Sequence, residues 1–483
     1  MIPLVVLVAV AVRLVPLLLG PGLLDWDRYD DGVYYTAAAS LLDGRLPYRD
    51  FVLLHPPLIM LALTPFALLG RLTSDPVGLV TARIVWMALG TGIAALAARF
   101  AGRWGALPAL IAGLWVACSS ASVYSSQTTY IEPLADLCLL GAIALLSCDR
   151  ERPRRELVGG LLLGVALTGK IWYVVPVATL LTVLLLHRRF RTVVRAGVVA
   201  AIVATVILLP FFLAAPYEMW HMVVHDQITR PTIGDSTPMD RLGVAVAGRF
   251  LGFSLATSAV IAAVASAITL VGAVAALRWV RQARIVAAVA IANAVMLVVT
   301  PTGFHYYGSL SSAPVGITLA VGWTALGRRV VRPRPVRLLG VAVALAAIVT
   351  GGALVAQRPL GPTAPAASLR AVLPPGCLTT DSPGLLILTD RLSDDLRRGC
   401  PVAVDVQGAS FGTHEHRHHN LSYIDWLGAY LASGRAAIMQ RPVADGFYGP
   451  ELRDLGEQIY RADKITVIVP TGARQAAGRL AVS

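Results

Sequence analysis

The chain has 483 residues, of which 56% are hydrophobic and 14% are charged, and its mean hydropathy is +0.68. Soluble domains carry about 25% charged residues, so this composition argues against a soluble globular enzyme and excludes a disordered chain or a disulfide-dense secreted module. The formal net charge is +13, but there is no basic helix interleaved with aromatic residues that would predict nucleic-acid binding.

Long apolar runs recur along the first three quarters of the chain, and a transmembrane helix needs about 20 such residues. We predict eleven spans, at about 2–20, 79–98, 105–124, 131–148, 157–169, 172–187, 196–215, 252–277, 285–300, 307–326 and 338–356. The fifth and sixth are short and interrupted by Gly and Pro, so they could form one broken or re-entrant element. The predicted fold class is a polytopic α-helical membrane protein of about 11 transmembrane helices.

Arginine residues concentrate in every second connection between these spans. The clusters lie within 99–103, 150–155, 188–195, 278–284 and 328–337. Short connections rich in Arg and Lys are cytoplasmic by the positive-inside rule. The N-terminus is therefore predicted to be cytoplasmic, and segments 21–78 and 216–250 to face the outside of the plasma membrane.

The composition changes beyond the last predicted span. A Pro- and Ala-rich linker at 358–367 separates a transmembrane domain, 1–357, from a final segment, 368–483, in which acidic and basic residues balance. An odd number of spans places this final segment outside the cell. We predict a small extracytoplasmic α/β domain there.

Short apolar runs in that domain predict two strands, and amphipathic runs predict two helices. The strands are expected at 401–406 and 465–469, and the helices at 421–431 and 452–460. Cys377 and Cys400 also lie in this domain. An oxidising exterior permits a disulfide between them, but the sequence leaves that bond open because it does not give the geometry.

Four carboxylates crowd into the start of the first outer segment, at Asp25, Asp27, Asp30 and Asp31. Neighbouring like charges raise one another's pKa values, so one of these groups could serve as a general base. They could also hold a divalent cation, or form a solvated acidic loop. Helical spacing in 32–43 and an apolar stretch at 56–70 predict two helices that could lie on the outer leaflet.

Three short motifs in this loop resemble a known family. They are Asp30-Asp31-Gly-Val-Tyr34, the Pro47-Tyr48 step and His55-Pro-Pro-Leu58. Together they resemble the first outer loop of GT-C membrane glycosyltransferases, nearest to the branch of protein mannosyltransferases and the aminoarabinose transferase of lipid A. That branch has Glu at the position of Asp31 and Lys at the position of His55. Taken together, the motifs of this loop resemble those of actinobacterial relatives of the family.

The resemblance implies a reaction and a general base. Such enzymes take a sugar from a polyprenyl-phosphate donor at the outer leaflet and transfer it, with inversion, to a hydroxyl of a cell-envelope glycan, lipid or protein. A first-loop aspartate deprotonates that hydroxyl. By position in the motif, Asp30 is the first candidate for this base, Asp31 the second and Asp27 a reserve.

The leaving phosphate needs cationic or hydrogen-bonding partners, because negative charge grows on it during transfer. The candidates for binding the donor phosphate or sugar are His55, Arg49, Lys170, Arg230, His305, Tyr306 and Glu132. Lys170 is an ionisable group at membrane depth, which favours a functional role, although it could simply extend to the interface. Glu132 could equally be a favourable helix start, and Tyr306 part of an interfacial aromatic belt.

No metal site or cofactor is firmly predicted, and a need for a divalent cation is left open. The cluster His414–His419 could bind a metal or form a polar surface loop. The expected partners are the lipid-linked sugar, its acceptor and membrane lipids, without nucleic acid. A transporter or flippase and a non-catalytic scaffold are the alternatives. The ionisable residues concentrate at one membrane face rather than at mid-membrane breaks, which favours interfacial chemistry over transport.

Overall fold

The structure is a computed structural model that describes residues 1–19, 22–24, 28–148, 152–229, 237–247, 255–300, 303–329, 365–413, 419–441, 455–462 and 464–470. The chain forms two compact units. Unit 1 comprises Met1–Leu17, Ile84–Leu208 and Thr232–Pro359. Unit 2 comprises Leu18–Arg83, Leu209–Pro231 and Leu360–Ser483.

Helices dominate the described residues. In chain order they are α1 (Ile2–Leu18), α2 (Tyr29–Leu42), α3 (Leu58–Leu72), α4 (Asp75–Ala101), α5 (Ala106–Cys118), α6 (Ser120–Gln127), α7 (Glu132–Leu146), α8 (Pro153–Leu167), α9 (Val174–Leu186), α10 (Phe190–Ala214), α11 (Pro216–Trp220), α12 (Asp226–Thr229), α13 (Pro238–Ala247), α14 (Leu255–Trp279), α15 (Arg284–Val299), α16 (Ser309–Gly327), α17 (Ala366–Val372), α18 (Gly384–Leu388), α19 (Leu392–Arg397) and α20 (Leu421–Ala432). A π-helical turn, His221–His225, joins α11 to α12. The strands are β1 (Leu378–Thr380), β2 (Ala436–Met439), β3 (Gly456–Ala462) and β4 (Ile465–Pro470).

Helices occupy each of the first ten predicted spans. Among the described residues, four helical segments are long and apolar enough to cross a membrane: Asp75–Trp104, Phe190–Ala214, Arg281–Val299 and His305–Gly327. A fifth span is possible if α5 and α6, which are bent by 54° relative to each other, count as one. The eleventh predicted span, 338–356, lies outside the described residues. The polytopic membrane fold is thus supported, and the count of eleven stays a prediction.

Unit 1 is built from helices whose small and branched apolar side chains fill a common core. Ala112, Val116, Ile143 and Val286 are fully buried in it. Helices α14 and α16 approach closely, since a Cβ on Gly322 would lie 2.0 Å from the carbonyl oxygen of Gly272. Close backbone approach through small residues is the usual way that helices pack in lipid, where the hydrophobic effect does not drive them together.

The predicted broken element at 157–187 is resolved into two helices of unit 1. Helix α8 ends at Leu167, and a 3-10 turn, Ile171–Tyr173, precedes α9. Lys170 lies in this break with extended backbone dihedrals. The residues of the break, 168–170, are buried, so the Lys170 side chain lies within the protein, between the two helices.

In unit 2, the two short helices predicted after the acidic residues are present as α2 and α3. Every residue from Asp31 to Ser40 is buried, so α2 is surrounded by protein rather than lying with one face in lipid. Helix α3 instead leaves Leu68 and Leu72 exposed, as an interfacial helix would.

The remainder of unit 2 contains a four-stranded sheet with strand order β1-β2-β4-β3. Strand β1 pairs parallel to β2, and the other pairings are antiparallel. Helix α20 covers this sheet, with Ile424, Leu427 and Leu431 packed against Ala437 and Met439. The predictions of a helix at 421–431 and a strand at 465–469 are confirmed.

Two predictions for this region are wrong. Residues 401–406 form no strand: their valines are buried, but none of the strand pairings among the described residues includes them. The described part of the helix expected at 452–460 is contradicted by β3, which starts at Gly456 and pairs with β4; residues 452–454 lie outside the described residues. The pattern of nine amphipathic residues does not distinguish a helix from an edge strand. The presence of a strand to pair with determines which of the two forms. Cys377 and Cys400 form the disulfide that the sequence left open, with a Cα–Cα distance of 5.4 Å.

Candidate active site

The acidic pair of the first outer loop lies in the first turn of α2, in unit 2. Carboxylates are favoured there by the positive end of the helix dipole. Asp31 is fully buried, and Arg83 donates to its Oδ2 atom from Nε at 2.7 Å and also from Nη2. Asp30 is half-buried. The charge of Asp31 is therefore compensated within the protein, whereas Asp30 retains access to solvent.

Contacts with the C-terminal part of unit 2 fix the start of α2. The hydroxyl of Tyr29 donates to Asp405 Oδ1 at 3.0 Å and accepts from the Gln407 N–H at 2.7 Å. Burial of the hydroxyl and the charge of Asp405 raise the pKa of Tyr29. A Cβ on Gly32 would lie 2.4 Å from the backbone nitrogen of Gly384. The residue after the acidic pair thus has to be glycine for α2 to pack where it does.

The His55-Pro-Pro step lies in the same unit. The His55 ring is 5.9 Å from the ring of Tyr34, and the His55 carbonyl accepts a 2.8 Å hydrogen bond from the Tyr48 hydroxyl. Tyr48 adopts a left-handed backbone conformation, with φ of 68°. Gln227 donates from Nε2 to the Leu54 carbonyl at 3.1 Å. The motif residues Tyr34, Tyr48 and His55 are therefore brought together.

Arg49, a predicted phosphate ligand, is mostly exposed and paired with its neighbour. Its guanidinium lies 2.8 Å from Asp50, with side-chain exposures of 52% and 30%. The hydrogen bond from Arg49 lowers the pKa of Asp50. Asp27 and Arg230 lie outside the described residues, as do His414–His418 in the histidine cluster.

Unit 1 contains a second polar group, centred on Lys170. The ammonium of Lys170 lies 3.1 Å from Glu132 Oε1, and both side chains are 4% exposed. The same ammonium lies over two aromatic rings, 3.9 Å from the centroid of Tyr307 and 5.6 Å from that of Tyr306. A buried ammonium with one carboxylate and two ring faces still has donor capacity for an anion.

Asp136 extends this group by one helical turn of α7. It accepts hydrogen bonds of 2.7 Å from the Tyr173 hydroxyl and 2.7 Å from the Ser309 hydroxyl. Asp136, Tyr173 and Ser309 are functional candidates that were not predicted from the sequence. A second carboxylate four positions after Glu132, inside a predicted span, was the available signal, because it faces the same side of the helix. Arg83 also lies inside a predicted span, where a charged residue indicates a functional or buried ion-pair position.

His305 and Tyr306 lie in an aromatic cluster of unit 1. His305 Nε2 is 2.8 Å from the Ser120 hydroxyl. The Tyr306 ring packs edge-on to Tyr130 at 4.7 Å and stacks with Phe304 at 5.5 Å. Thus Glu132, Lys170, His305 and Tyr306, predicted separately from three segments, belong to one region that combines a cation, hydroxyls and aromatic faces.

The family model for Glycosyltransferase family 87 matches residues 53–301, just over half of the chain. The chain belongs to glycosyltransferase family 87. It is a membrane glycosyltransferase of the GT-C superfamily, which confirms the predicted resemblance to that superfamily, whereas the actinobacterial origin stays a prediction. No curated protein matches the sequence.

Solved structures share the fold along nearly the whole chain. ArnT from Cupriavidus metallidurans bound to undecaprenyl phosphate matches with a TM-score of 0.62 and 16% identity, over 96% of this chain and 97% of that one. The oligosaccharyltransferase from Archaeoglobus fulgidus in complex with Zn and sulfate matches with a TM-score of 0.56 and 11% identity, over 97% of this chain and 72% of that one. At such identities the likeness shows the fold alone.

Proposed function

We propose that this family 87 enzyme transfers a sugar, with inversion, from a polyprenyl-phosphate donor to a hydroxyl of a cell-envelope glycan, lipid or protein. The observation that carries the proposal is the difference in environment between the two neighbouring aspartates of α2. Asp31 is buried and forms an ion pair with Arg83, whereas Asp30 is half-exposed. Asp30, which is half-exposed at the start of α2, is therefore the proposed acceptor of the hydroxyl proton. The fold likeness to ArnT bound to undecaprenyl phosphate supports the donor class.

In the proposed reaction, Asp30 accepts the proton of the acceptor hydroxyl as its oxygen attacks the anomeric carbon. The bond from that carbon to the phosphate oxygen breaks, and its electron pair leaves with polyprenyl phosphate. Attack opposite to the leaving group inverts the configuration. General-base help of this kind contributes typically about 10²- to 10⁴-fold to the rate. The ion pair of Asp31 with Arg83 fixes the first turn of α2 and thereby the position of Asp30.

Charge develops on the departing phosphate, and Lys170 is the proposed cation for it. Its location between a carboxylate and two aromatic rings keeps the ammonium buried and positioned. His305 and His55 are proposed as additional hydrogen-bond donors. Tyr306 is proposed to contact the apolar face of the sugar, and Glu132 to orient Lys170. Arg49, Arg230 and Asp27 stay predictions without further support.

We place the reaction on the outer face of the plasma membrane, with the N-terminus in the cytoplasm. The Arg-rich connections support this orientation. The Cys377–Cys400 disulfide supports an oxidising, extracytoplasmic location for the C-terminal part of the chain.

The experiment is a transfer assay with the purified enzyme in lipid nanodiscs and a panel of radiolabelled polyprenyl-phosphate sugars. We expect one donor to be consumed, with equimolar polyprenyl phosphate released, when extracted envelope acceptors are present. Consumption of no donor under any acceptor condition would contradict the proposal. So would unchanged donor crossing the bilayer of proteoliposomes, which is the behaviour of a flippase.

A further inference from the structure

Three potential metal ligands converge outside the proposed catalytic groups. His221, His225 and Asp226 each offer one ligand atom, and these atoms lie within 4.8 Å of one another. His221 Nδ1 is 3.0 Å and His225 Nδ1 is 3.4 Å from the same oxygen of Asp226. The Asp226 side chain is 4% exposed, whereas the two imidazoles are 28% and 39% exposed. A buried carboxylate is thus overlaid by two solvent-accessible imidazoles.

The backbone explains why these three residues share a face. In an α-helix, residues three and four apart are neighbours, and residue i+5 points elsewhere. His221–His225 is instead π-helical, and its wider turn brings residue i+5 under residue i. Asp226 therefore joins both histidines. Single π-helical turns are rare and are frequent at functional sites.

We propose that His221, His225 and Asp226 bind a divalent transition-metal ion, with Zn²⁺ as the favoured ion. Zinc bonds nitrogen and oxygen at about 2.0–2.2 Å, so tetrahedral ligand atoms lie roughly 3.3–3.6 Å apart. The separations of 3.0 and 3.4 Å need little adjustment to meet this geometry. Two imidazoles and one carboxylate suit zinc rather than calcium or magnesium, which prefer oxygen ligands. Three protein ligands leave a fourth position for water or an anionic group.

The site goes beyond the proposed function, and its immediate effect is on structure. Gln227, next to Asp226, is buried and donates to the Leu54 carbonyl. Leu54 directly precedes the His55-Pro-Pro step. Metal binding would fix the π-helical turn and, through Gln227, the backbone of that step. The bound ion is thus expected to raise the thermal stability of the enzyme.

The test uses the full-length enzyme in detergent, stripped with a chelator and titrated with Zn²⁺ or Co²⁺. We expect one equivalent of Zn²⁺, a raised thermal midpoint and the visible absorption of tetrahedral Co²⁺. His225→Gln should weaken Zn²⁺ binding by more than the about 10- to 100-fold that loss of an outer-shell partner costs. His225→Cys, which supplies another zinc ligand, should restore binding.

The control removes the other imidazole-rich segment, by changing His414, His416, His418 and His419 to Gln. This variant should still bind one equivalent. A wild-type enzyme that retains no stoichiometric metal would overturn the proposal and leave only direct contacts of the two imidazoles with Asp226. The proposal would also be overturned if the variant without the four histidines of 414–419 lost the bound Zn²⁺ while His225→Gln retained it. Neither result depends on glycosyl transfer, so failure here is separate from failure of the proposed function. If His225→Gln does not fold, His225→Cys and the control still decide the outcome.

Discussion

Arg83 and Asp31 form a buried ion pair in which the guanidinium donates from Nε and Nη2 to one carboxylate oxygen. Removing one partner of such a pair leaves an uncompensated buried charge, which costs about 3–5 kcal/mol. We therefore expect Asp31→Asn or Arg83→Met to lower the free energy of unfolding by about that amount. Thermal and denaturant unfolding in detergent measure it.

The double variant Asp31→Asn/Arg83→Met serves as the control for this pair. Because no charge is left unpaired, it should be less destabilised than the sum of the two single variants. Arg49→Gln, which breaks the exposed pair with Asp50, should change the unfolding midpoint little. Strict additivity of the two buried changes would show that Arg83 and Asp31 do not act as a pair.

Lys170 is expected to matter for turnover rather than for folding alone. Removing one preorganised group that stabilises developing charge typically lowers kcat by about 10²- to 10³-fold. Lys170→Met should show a loss of this size with any donor that the enzyme accepts. Lys464→Met is a matched control, because Lys464 is the other lysine of the chain. Equal activity of the two variants would remove Lys170 from the proposed phosphate site.

Gly32 is expected to tolerate no side chain. A Cβ there would meet backbone atoms of Gly384 at 2.4 and 2.8 Å, and backbone cannot move aside cheaply. Gly32→Ala should therefore cost about 1–3 kcal/mol of stability through overpacking. Gly92→Ala is the control, since its nearest neighbour would be 3.9 Å away and alanine favours a helix. A stable Gly32→Ala enzyme would mean that α2 does not pack this closely.

Asp395 gives the C-terminal part of the chain a pH dependence. Burial raises its pKa to about 6, against about 3.9 for an ordinary Asp. The folded state thus holds its proton more tightly than the unfolded state does, so the contribution of Asp395 to stability falls as pH rises from about 4 to 6. Asp395→Asn should flatten the pH profile of the thermal midpoint in that window. Superimposable profiles of the two proteins would exclude this role.

Local features such as helices could be predicted from the sequence, whereas contacts between residues far apart in the chain could not. Apolar runs located the helices, and the acidic pair located α2, because both signals are contained in a few consecutive residues. The partner of Asp31 is Arg83, 52 positions away, and nothing in the local pattern selects it. The grouping of Lys170 with Asp136 and Ser309 likewise depends on how helices pack. The segment of strand β3 has a local pattern that also fits a helix, because nine consecutive residues do not show the pairing with β4.

The most direct test of the proposed mechanism compares donor binding and sugar transfer in Asp30→Asn. Asparagine preserves shape but cannot accept the hydroxyl proton, so we predict wild-type affinity for the polyprenyl-phosphate sugar and a transfer rate lower by about 10²- to 10⁴-fold. Wild-type transfer by a folded Asp30→Asn enzyme would contradict Asp30 as the general base.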